Sequence, residues 1–212
     1  NARIHELSAN GCFLSTWGWL GTGDGKFDYP MGIAVAPDGS VYVTDSVNHR
    51  VQKFSANGNF LTKWGSEGTG DGQFVQPVGV AVAPDGSVYV VECANNRIQK
   101  FSENGIFLNK WGILGSGDGE FQCPAGVAAA PDGSVYVTDF ANNRIQKFTA
   151  NGSFLTKWGS QGRGDGQLSS PRGVAAAPDA MIYVADTGNN RIQYFQPYRA
   201  FSPGALLLLL LE

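Results

Sequence analysis

The fold of this 212-residue chain is decided by the stretch PVGVAVAPDGSVYVVECANNRIQKFSENGIFLNKW, residues 77–111. It contains four short runs rich in β-branched and aromatic residues, which are typical of strands: 80–83, 88–91, 97–101 and 107–111. Two of the three connections between the runs carry Asp-Gly or Asn-Gly, the residues that tight hairpin turns favour. The stretch therefore predicts four antiparallel strands joined in chain order.

The same pattern recurs every 47 residues without an insertion. Tryptophans mark the end of each unit (Trp17, Trp64, Trp111 and Trp158), and 28 of the 29 glycines fall in four consecutive 47-residue blocks, seven in each. A repeat of this length with four strands is typical of a β-propeller blade. We expect the first strand, built of Ala and Val, to lie innermost and the fourth, with Phe and Trp, to lie at the rim.

Each unit resembles an NHL repeat. The resemblance rests on the Pro-Asp-Gly-Ser turn, the segment Asn-Asn-Arg-Ile-Gln-Lys-Phe after an acidic residue, and the ending Phe-Leu-x-Lys-Trp-Gly. It implies an all-β propeller of four-stranded antiparallel blades, part of a six-bladed ring, in a family of protein- or RNA-binding platforms with some related lyases. We expect the propeller to cover 1–196, with blade units near 1–17 (partial), 30–64, 77–111, 124–158 and 171–196 (partial), followed by a tail at 197–212.

These units supply 17 strands, whereas six blades of four strands need about 24. Three interpretations remain open: a longer protein completes the ring, residues 13–17 complete the last blade of a smaller ring, or a second chain closes the ring. We favour the first, because the repeat begins in the middle of a unit. Unpaired edges would favour self-association, since an open strand edge can pair with another chain.

Composition excludes several classes of partner. The net charge is −3 and only 16% of residues are charged, so a clustered basic surface for nucleic acid is not expected. The six leucines of the tail are far fewer than the roughly 20 apolar residues that span a bilayer, and no membrane span is expected. A protein partner is the expectation that remains.

Cysteine usage indicates neither a disulfide framework nor a zinc site. The count is odd (Cys12, Cys93 and Cys123) and no Cys-x-x-Cys spacing occurs. We favour free thiols. The alternative is a bridge between Cys93 and Cys123, whose loops share one face of the propeller.

A second series couples an acidic residue at the end of each second strand to an arginine five positions later. The pairs are Asp45 with Arg50, Glu92 with Arg97, Asp139 with Arg144 and Asp186 with Arg191. They could form a charged ring around a channel, but we favour a structural role in which the carboxylate binds loop N–H groups and the arginine.

The Gly-x-Gly-Asp-Gly segments beginning at Gly21, Gly68, Gly115 and Gly162 are interpreted as turns, because no helix follows to receive a phosphate and one Asp is too few for calcium.

Neither a catalytic residue nor a metal or cofactor site is predicted. The two histidines occupy different positions of the repeat, since His5 matches Gln52 and His49 matches Asn96. A propeller lyase or hydrolase is an alternative function, with metal ligands in blades outside this chain. Extracellular glycan or matrix binding is another, and the sequon at Asn151 would be usable there.

Differences between near-identical units point to a binding surface. The Pro-Asp-Gly-Ser turns recur unchanged at 37–40, 84–87 and 131–134, while the opposite face varies. This variable loop face consists of the connections between blades and the loops after the second strands. Its candidate partner-binding residues are Trp19, Tyr29, Met31, His49, Phe140 and Arg172. Because aromatic residues and arginine often anchor interfaces, the leading hypothesis is a non-catalytic scaffold that binds a protein through this face.

Overall fold

The computed structural model describes residues 2–196, so the predicted tail at 197–212, with its leucine run, lies outside the described residues. The described part contains 17 β-strands: β1 Ile4–Leu7, β2 Phe13–Trp17, β3 Pro30–Val35, β4 Val41–Asp45, β5 Arg50–Phe54, β6 Phe60–Trp64, β7 Pro77–Val82, β8 Val88–Glu92, β9 Arg97–Phe101, β10 Phe107–Trp111, β11 Pro124–Ala129, β12 Val135–Asp139, β13 Arg144–Phe148, β14 Phe154–Trp158, β15 Val174–Ala176, β16 Ile182–Asp186 and β17 Arg191–Phe195.

The strands form antiparallel sheets whose order follows the chain. The pair β1–β2 is counted as the first blade. Three complete blades follow, the second (β3–β6), the third (β7–β10) and the fourth (β11–β14), and the three-stranded sheet β15–β17 is the fifth. The prediction of an all-β propeller with four-stranded antiparallel blades is thereby confirmed. Among the described strands β2 pairs only with β1, so it does not complete the last blade here. A six-bladed ring remains an expectation.

Turn chemistry explains why each sheet folds back in register. Gly39, Gly86 and Gly133 have φ between +80° and +84°, a left-handed conformation that a residue without Cβ adopts at little cost. In the last blade the same position is Ala180, with φ of +68°. The hairpins therefore keep one geometry in all units, even where the glycine is replaced.

The core lies between blades. The second and third strands of the central blade, β8 and β9, are buried at every residue because neighbouring blades cover both faces, whereas β10 alternates between partly buried and exposed. One apolar cluster fills each junction; between the third and fourth blades it includes Tyr89, Ile98, Phe121 and Phe148. Burying a side chain such as Phe121 contributes roughly 1.5–3 kcal/mol, so these junctions supply much of the stability.

Polar contacts also join successive blades at the face opposite the variable loops. The Tyr42 hydroxyl donates to the Glu103 carbonyl oxygen at 3.0 Å, and the Tyr89 hydroxyl donates to the Ala150 carbonyl oxygen at 3.0 Å. Burial raises the pKa of Tyr89 to about 12, so this hydroxyl keeps its proton at neutral pH. The blades that contain Tyr42 and Tyr89 thus each bind the outer hairpin turn of the following blade.

The inner strands approach each other so closely that glycine is needed between them. A Cβ on Gly126 would overlap the Arg172 carbonyl oxygen and lie 3.2 Å from the Val174 nitrogen. On Gly79 it would lie 2.8 Å from the Ala125 carbonyl oxygen. Both obstacles are backbone atoms, which cannot turn aside as a flexible side chain can.

We therefore expect Gly126→Ala to destabilise the protein by about 1–3 kcal/mol, because the added methyl group forces β11 and β15 apart. Chemical denaturation followed by tryptophan fluorescence measures this loss. Gly173→Ala is the matched control, since its Cβ would meet only the Ala185 Cβ, at 3.5 Å. Equal stability of the two variants would contradict the close approach described here.

One short 3₁₀ segment, Thr187–Asn189, is the helical element of residues 2–196. No helix in this part of the chain has the length and apolar character needed to cross a membrane.

Candidate functional site

Strands β3, β7, β11 and β15 begin side by side at the variable loop face and surround a depression of about 300 Å³. The inner segment of each unit begins at a proline, and the residue after that proline lines the depression: Met31, Val78, Ala125 and Arg172. Phe140, from the loop after β12, closes one side. The depression therefore brings together three of the six candidate residues, Met31, Phe140 and Arg172, from three different blades.

Arg172 and Phe140 form the most distinctive contact of this site. The Arg172 guanidinium carbon lies 4.7 Å from the centre of the Phe140 ring, a cation–π arrangement. Phe140 is partly buried and Arg172 is exposed. The stack orients the guanidinium while leaving its N–H groups accessible.

The other three candidates lie outside the lining of the depression. Tyr29 and Trp19 are 67% and 63% exposed; Tyr29 directly precedes the inner strand β3, whereas Trp19 lies at the outer end of the same connection, next to β2. The Tyr29 carbonyl oxygen accepts a hydrogen bond from the N–H of Ser46, which lines the depression. Tyr29 is thus at the margin of the site and Trp19 lies further out.

His49 belongs to a scaffolding series. Its Nδ1 accepts a hydrogen bond from the Gln76 N–H at 3.3 Å, and the side-chain oxygens of Asn96 and Asn143 accept from Cys123 and Ser170 at 2.8 Å. The donors of these bonds are non-glycine residues with φ near +50°. The bonds hold these residues in the left-handed conformation and fix the backbone of the variable loop face between blades.

The preference for free thiols at Cys93 and Cys123 is wrong, because the structure joins them in a disulfide, while Cys12 is a free, exposed thiol. Cys93 follows β8 and Cys123 precedes β11, so the bridge spans the junction between the third and fourth blades. Blade curvature brings together two loops that are 30 residues apart in the chain. The bridge lines the depression.

The two blade junctions next to the disulfide each contain a hydrogen bond from a threonine hydroxyl to the following blade. The junction with the disulfide lacks this bond. Thr44 Oγ1 donates to the Val78 carbonyl oxygen at 2.7 Å, and Thr138 Oγ1 donates to the Arg172 carbonyl oxygen at 2.8 Å. At the junction that carries the disulfide, the corresponding residue is Val91, which is fully buried and has no hydroxyl. A covalent link therefore joins the blades where the threonine bond is missing.

The acidic series and the glycine loops together form a buried polar cage in each blade. Asp139 is fully buried and accepts hydrogen bonds from the Gln122 N–H at 2.8 Å and from Arg144 Nε at 2.7 Å. The remaining Arg144 donors bind carbonyl oxygens of the glycine loop, those of Ser116 at 2.6 Å and Gly117 at 2.8 Å. Equivalent bonds link Asp45 to Arg50, Glu92 to Arg97 and Asp186 to Arg191. In the three complete blades the acid and the arginine are buried and are hydrogen-bonded to groups of their own blade and its glycine loop.

Hydrogen bonding sets the ionisation of the last acid of this series. Burial by itself raises the pKa of Asp186, but hydrogen bonds from Asn189, Ser169 and Arg191 outweigh it and hold that pKa below its ordinary value. Because the pKa of Asp186 is lower in the folded protein, its ionised carboxylate stabilises the fold at pH values above the pKa of the unfolded chain. This stabilisation is lost as the pH falls through the pKa of the folded protein. The Asp186 carboxylate is therefore charged at neutral pH.

Sequence comparison of the units missed several residues that line the depression. Gln76, Cys93 and Cys123 line it but are not among the six candidate residues. They occupy the same repeat positions as the candidates, and this shared position was the signal that could have identified them.

A larger cavity, of about 500 Å³, lies between the fourth blade and β17. Trp158 and Phe195 line it, and it borders Gln196, the last described residue. At the corresponding places the hairpin glycines Gly105 and Gly152 lie against Trp64 and Trp111. At the two preceding junctions a hairpin turn fills the equivalent space, so within residues 2–196 this cavity is a feature of blade packing.

Within residues 2–196, no three His, Cys, Asp or Glu side chains are grouped so that they could hold a metal ion. His5 lies on β1 opposite Thr16, whereas His49 binds the Gln76 N–H. The described histidines are therefore not brought to one place.

Comparison with known proteins agrees with the repeat and the fold. The family model described as NHL repeat matches residues 27–54, 74–101, 121–148 and 168–195, more than half of the chain. No curated protein matches the sequence.

Several solved structures share the architecture. A catalytically inactive virginiamycin B lyase from Staphylococcus aureus with quinupristin is 17% identical, with a TM-score of 0.62, over 93% of this chain and 64% of that one. A streptogramin B lyase is 19% identical, with a TM-score of 0.64, over 93% and 63%. Hydrazine synthase from Kuenenia stuttgartiensis is 19% identical, with a TM-score of 0.57, over 73% and 41%. The chain spans less than two thirds of each, and at these identities the likeness shows the fold alone.

Proposed function

The chain belongs to the NHL-repeat family, and from this premise we propose that it is a non-catalytic β-propeller scaffold that binds a protein partner through its variable loop face. One observation carries the proposal: Met31, Phe140 and Arg172, each different from its counterparts in the other units, lie around one depression. Recognition residues on loops held by a rigid scaffold are typical of binding proteins.

The chemistry of the surface supports a macromolecular partner. Tyr29 exposes 67% of its surface beside the depression, and Met31 is also exposed. Exposed aromatic and apolar residues that converge on a concave site, with an arginine among them, are typical of the buried centre of an interface. The hydrogen bonds that fix the loop backbone limit the entropy lost on binding.

Replacement of Tyr29 and Phe140 by alanine tests this proposal. Removing two interface anchors costs about 2 kcal/mol each, so we expect capture of partner proteins to fall by more than roughly a hundredfold while the fold is retained. Affinity capture from an extract of the source cells, quantified by mass spectrometry, measures the loss, and the thermal unfolding midpoint reports the fold.

Ile106→Ala is the matched control, because Ile106 is 67% exposed in the turn between β9 and β10, on the opposite face. This variant should capture the same proteins as the unchanged chain. Undiminished capture by the Tyr29→Ala, Phe140→Ala double variant would contradict the proposal. Stoichiometric zinc or calcium in the purified protein would instead favour the lyase or hydrolase alternative.

A further inference from the structure

Arg172 is the only charged residue among the four inner-segment positions that line the depression; the others are Met31, Val78 and Ala125. Its backbone is held from both sides, because its N–H donates to the Ala185 carbonyl oxygen at 3.1 Å and its carbonyl oxygen accepts from Thr138 Oγ1 at 2.8 Å. The position of the side chain is therefore set by the fold, and a substitution that changes only the side chain leaves these bonds in place.

The guanidinium of Arg172 differs from those of the cage arginines. Arg50, Arg97 and Arg144 are buried, and each binds a carboxylate and several carbonyl oxygens. Among residues 2–196, the Arg172 side chain has no carboxylate or carbonyl partner and contacts the ring of Phe140. Its hydrogen-bond donors remain available to a ligand.

The depression has an uncompensated positive charge. The lining residues include no Asp or Glu, and the nearest acids of the series, Asp45, Glu92 and Asp139, are fully buried in their own cages. A guanidinium placed over an aromatic ring keeps N–H groups free, which suits bidentate binding of a carboxylate. The Gln76 amide and the Ser46 hydroxyl also line the site and offer further donors.

We propose that this depression binds an acidic side chain, Asp or Glu, of an extended segment of the partner protein. The carboxylate pairs with the Arg172 guanidinium, and an adjacent apolar residue packs against Met31, Val78 and Phe140. The inference rests on the proposed function and adds the chemical class of the bound segment. A nucleic acid fits less well, because one arginine in a chain of net charge −3 offers few phosphate contacts.

Selection from a displayed library of random 12-residue peptides tests the proposal on the full chain. We expect the enriched peptides to share an Asp or Glu beside an apolar residue. A synthetic peptide of the enriched sequence should bind Arg172→Gln roughly ten- to a hundredfold more weakly than the unchanged chain, since a charge-assisted hydrogen bond is lost. Selection on Arg172→Glu should favour Lys or Arg at the same position.

The outcomes separate the two proposals. Two results would overturn the acidic-segment proposal and leave the binding face intact. In one, the peptides bind in a way that depends on Phe140 but show no preference for Asp or Glu; in the other, selection on Arg172→Glu still enriches Asp or Glu. Absence of any peptide sensitive to Phe140→Ala or Tyr29→Ala would count against the binding face itself. Unchanged thermal unfolding of each variant establishes that the altered selection reflects the side chain and not the fold.

Discussion

Asp139→Asn is expected to lower the free energy of unfolding by about 3–5 kcal/mol, the effect of removing one partner from a buried ion pair. The Asp139 carboxylate accepts from Gln122, Asn142, Arg144 and Gln146. An asparagine replaces one acceptor oxygen with an N–H₂ group that faces donors, and it leaves the Arg144 charge uncompensated in a buried site. Denaturant-induced unfolding, followed by circular dichroism, gives the difference.

Two variants make this result specific. Asp186→Asn should cost less, because the Arg191 side chain is 29% exposed against 8% for Arg144, and water can replace part of the lost interaction. Removing both charges with Asp139→Asn and Arg144→Met should recover part of the loss, since no unpaired charge stays buried. Equal losses at Asp139 and Asp186 would show that burial does not determine the strength of the cage.

Loss of the disulfide is expected to have the next largest effect on stability. Replacing Cys93 and Cys123 by serine should cost about 2–4 kcal/mol, because the bridge restricts a loop of about 30 residues in the unfolded chain. The comparison is made in the Cys12→Ser background, which removes the exposed thiol that could exchange with the bridge. Unfolding with and without a dithiol reductant provides the same comparison without substitutions.

Val91→Thr in the variant without the disulfide should restore part of the lost stability. The new hydroxyl would reproduce the bonds of Thr44 and Thr138 across the blade junction, worth about 1 kcal/mol. In the protein with the disulfide, the same substitution should raise the free energy of unfolding by less, because the bridge already joins the blades. A bridge whose reduction leaves the unfolding free energy unchanged would contradict its assignment as the link at this junction.

Local sequence signals were sufficient to predict the blades. The Asp-Gly pair at 85–86 predicts a left-handed turn residue, and Gly86 has φ of +82°. The spacing of Pro77 and Trp111 marks the first and last residues of a blade, and β7 and β10 begin and end there. The turn depends on residues a few positions apart, and the blade limits depend on a repeat that is visible in the sequence, which is why the sequence alone is informative about both.

The site depends on curvature, which the sequence does not encode locally. Arg172 and Phe140 belong to different blades, and their stacking follows from the angle between neighbouring sheets. The Cys93–Cys123 bridge also depends on curvature, because an odd cysteine count says nothing of the distance between two loops. The bond made by His49 could have been inferred, since Asn96 and Asn143 occupy the same repeat position.

The tyrosine bonds between blades have an evolutionary consequence. Tyr42 reaches Glu103 and Tyr89 reaches Ala150 by the same geometry across the same number of residues, and each contact is to a backbone carbonyl oxygen that any residue provides. The tyrosine bond to the following blade therefore does not depend on which side chain the bonded residue carries. A coding segment for one unit can be duplicated, or exchanged with another, and still yield a fitting neighbour, so the loops at the opposite end are free to diversify independently.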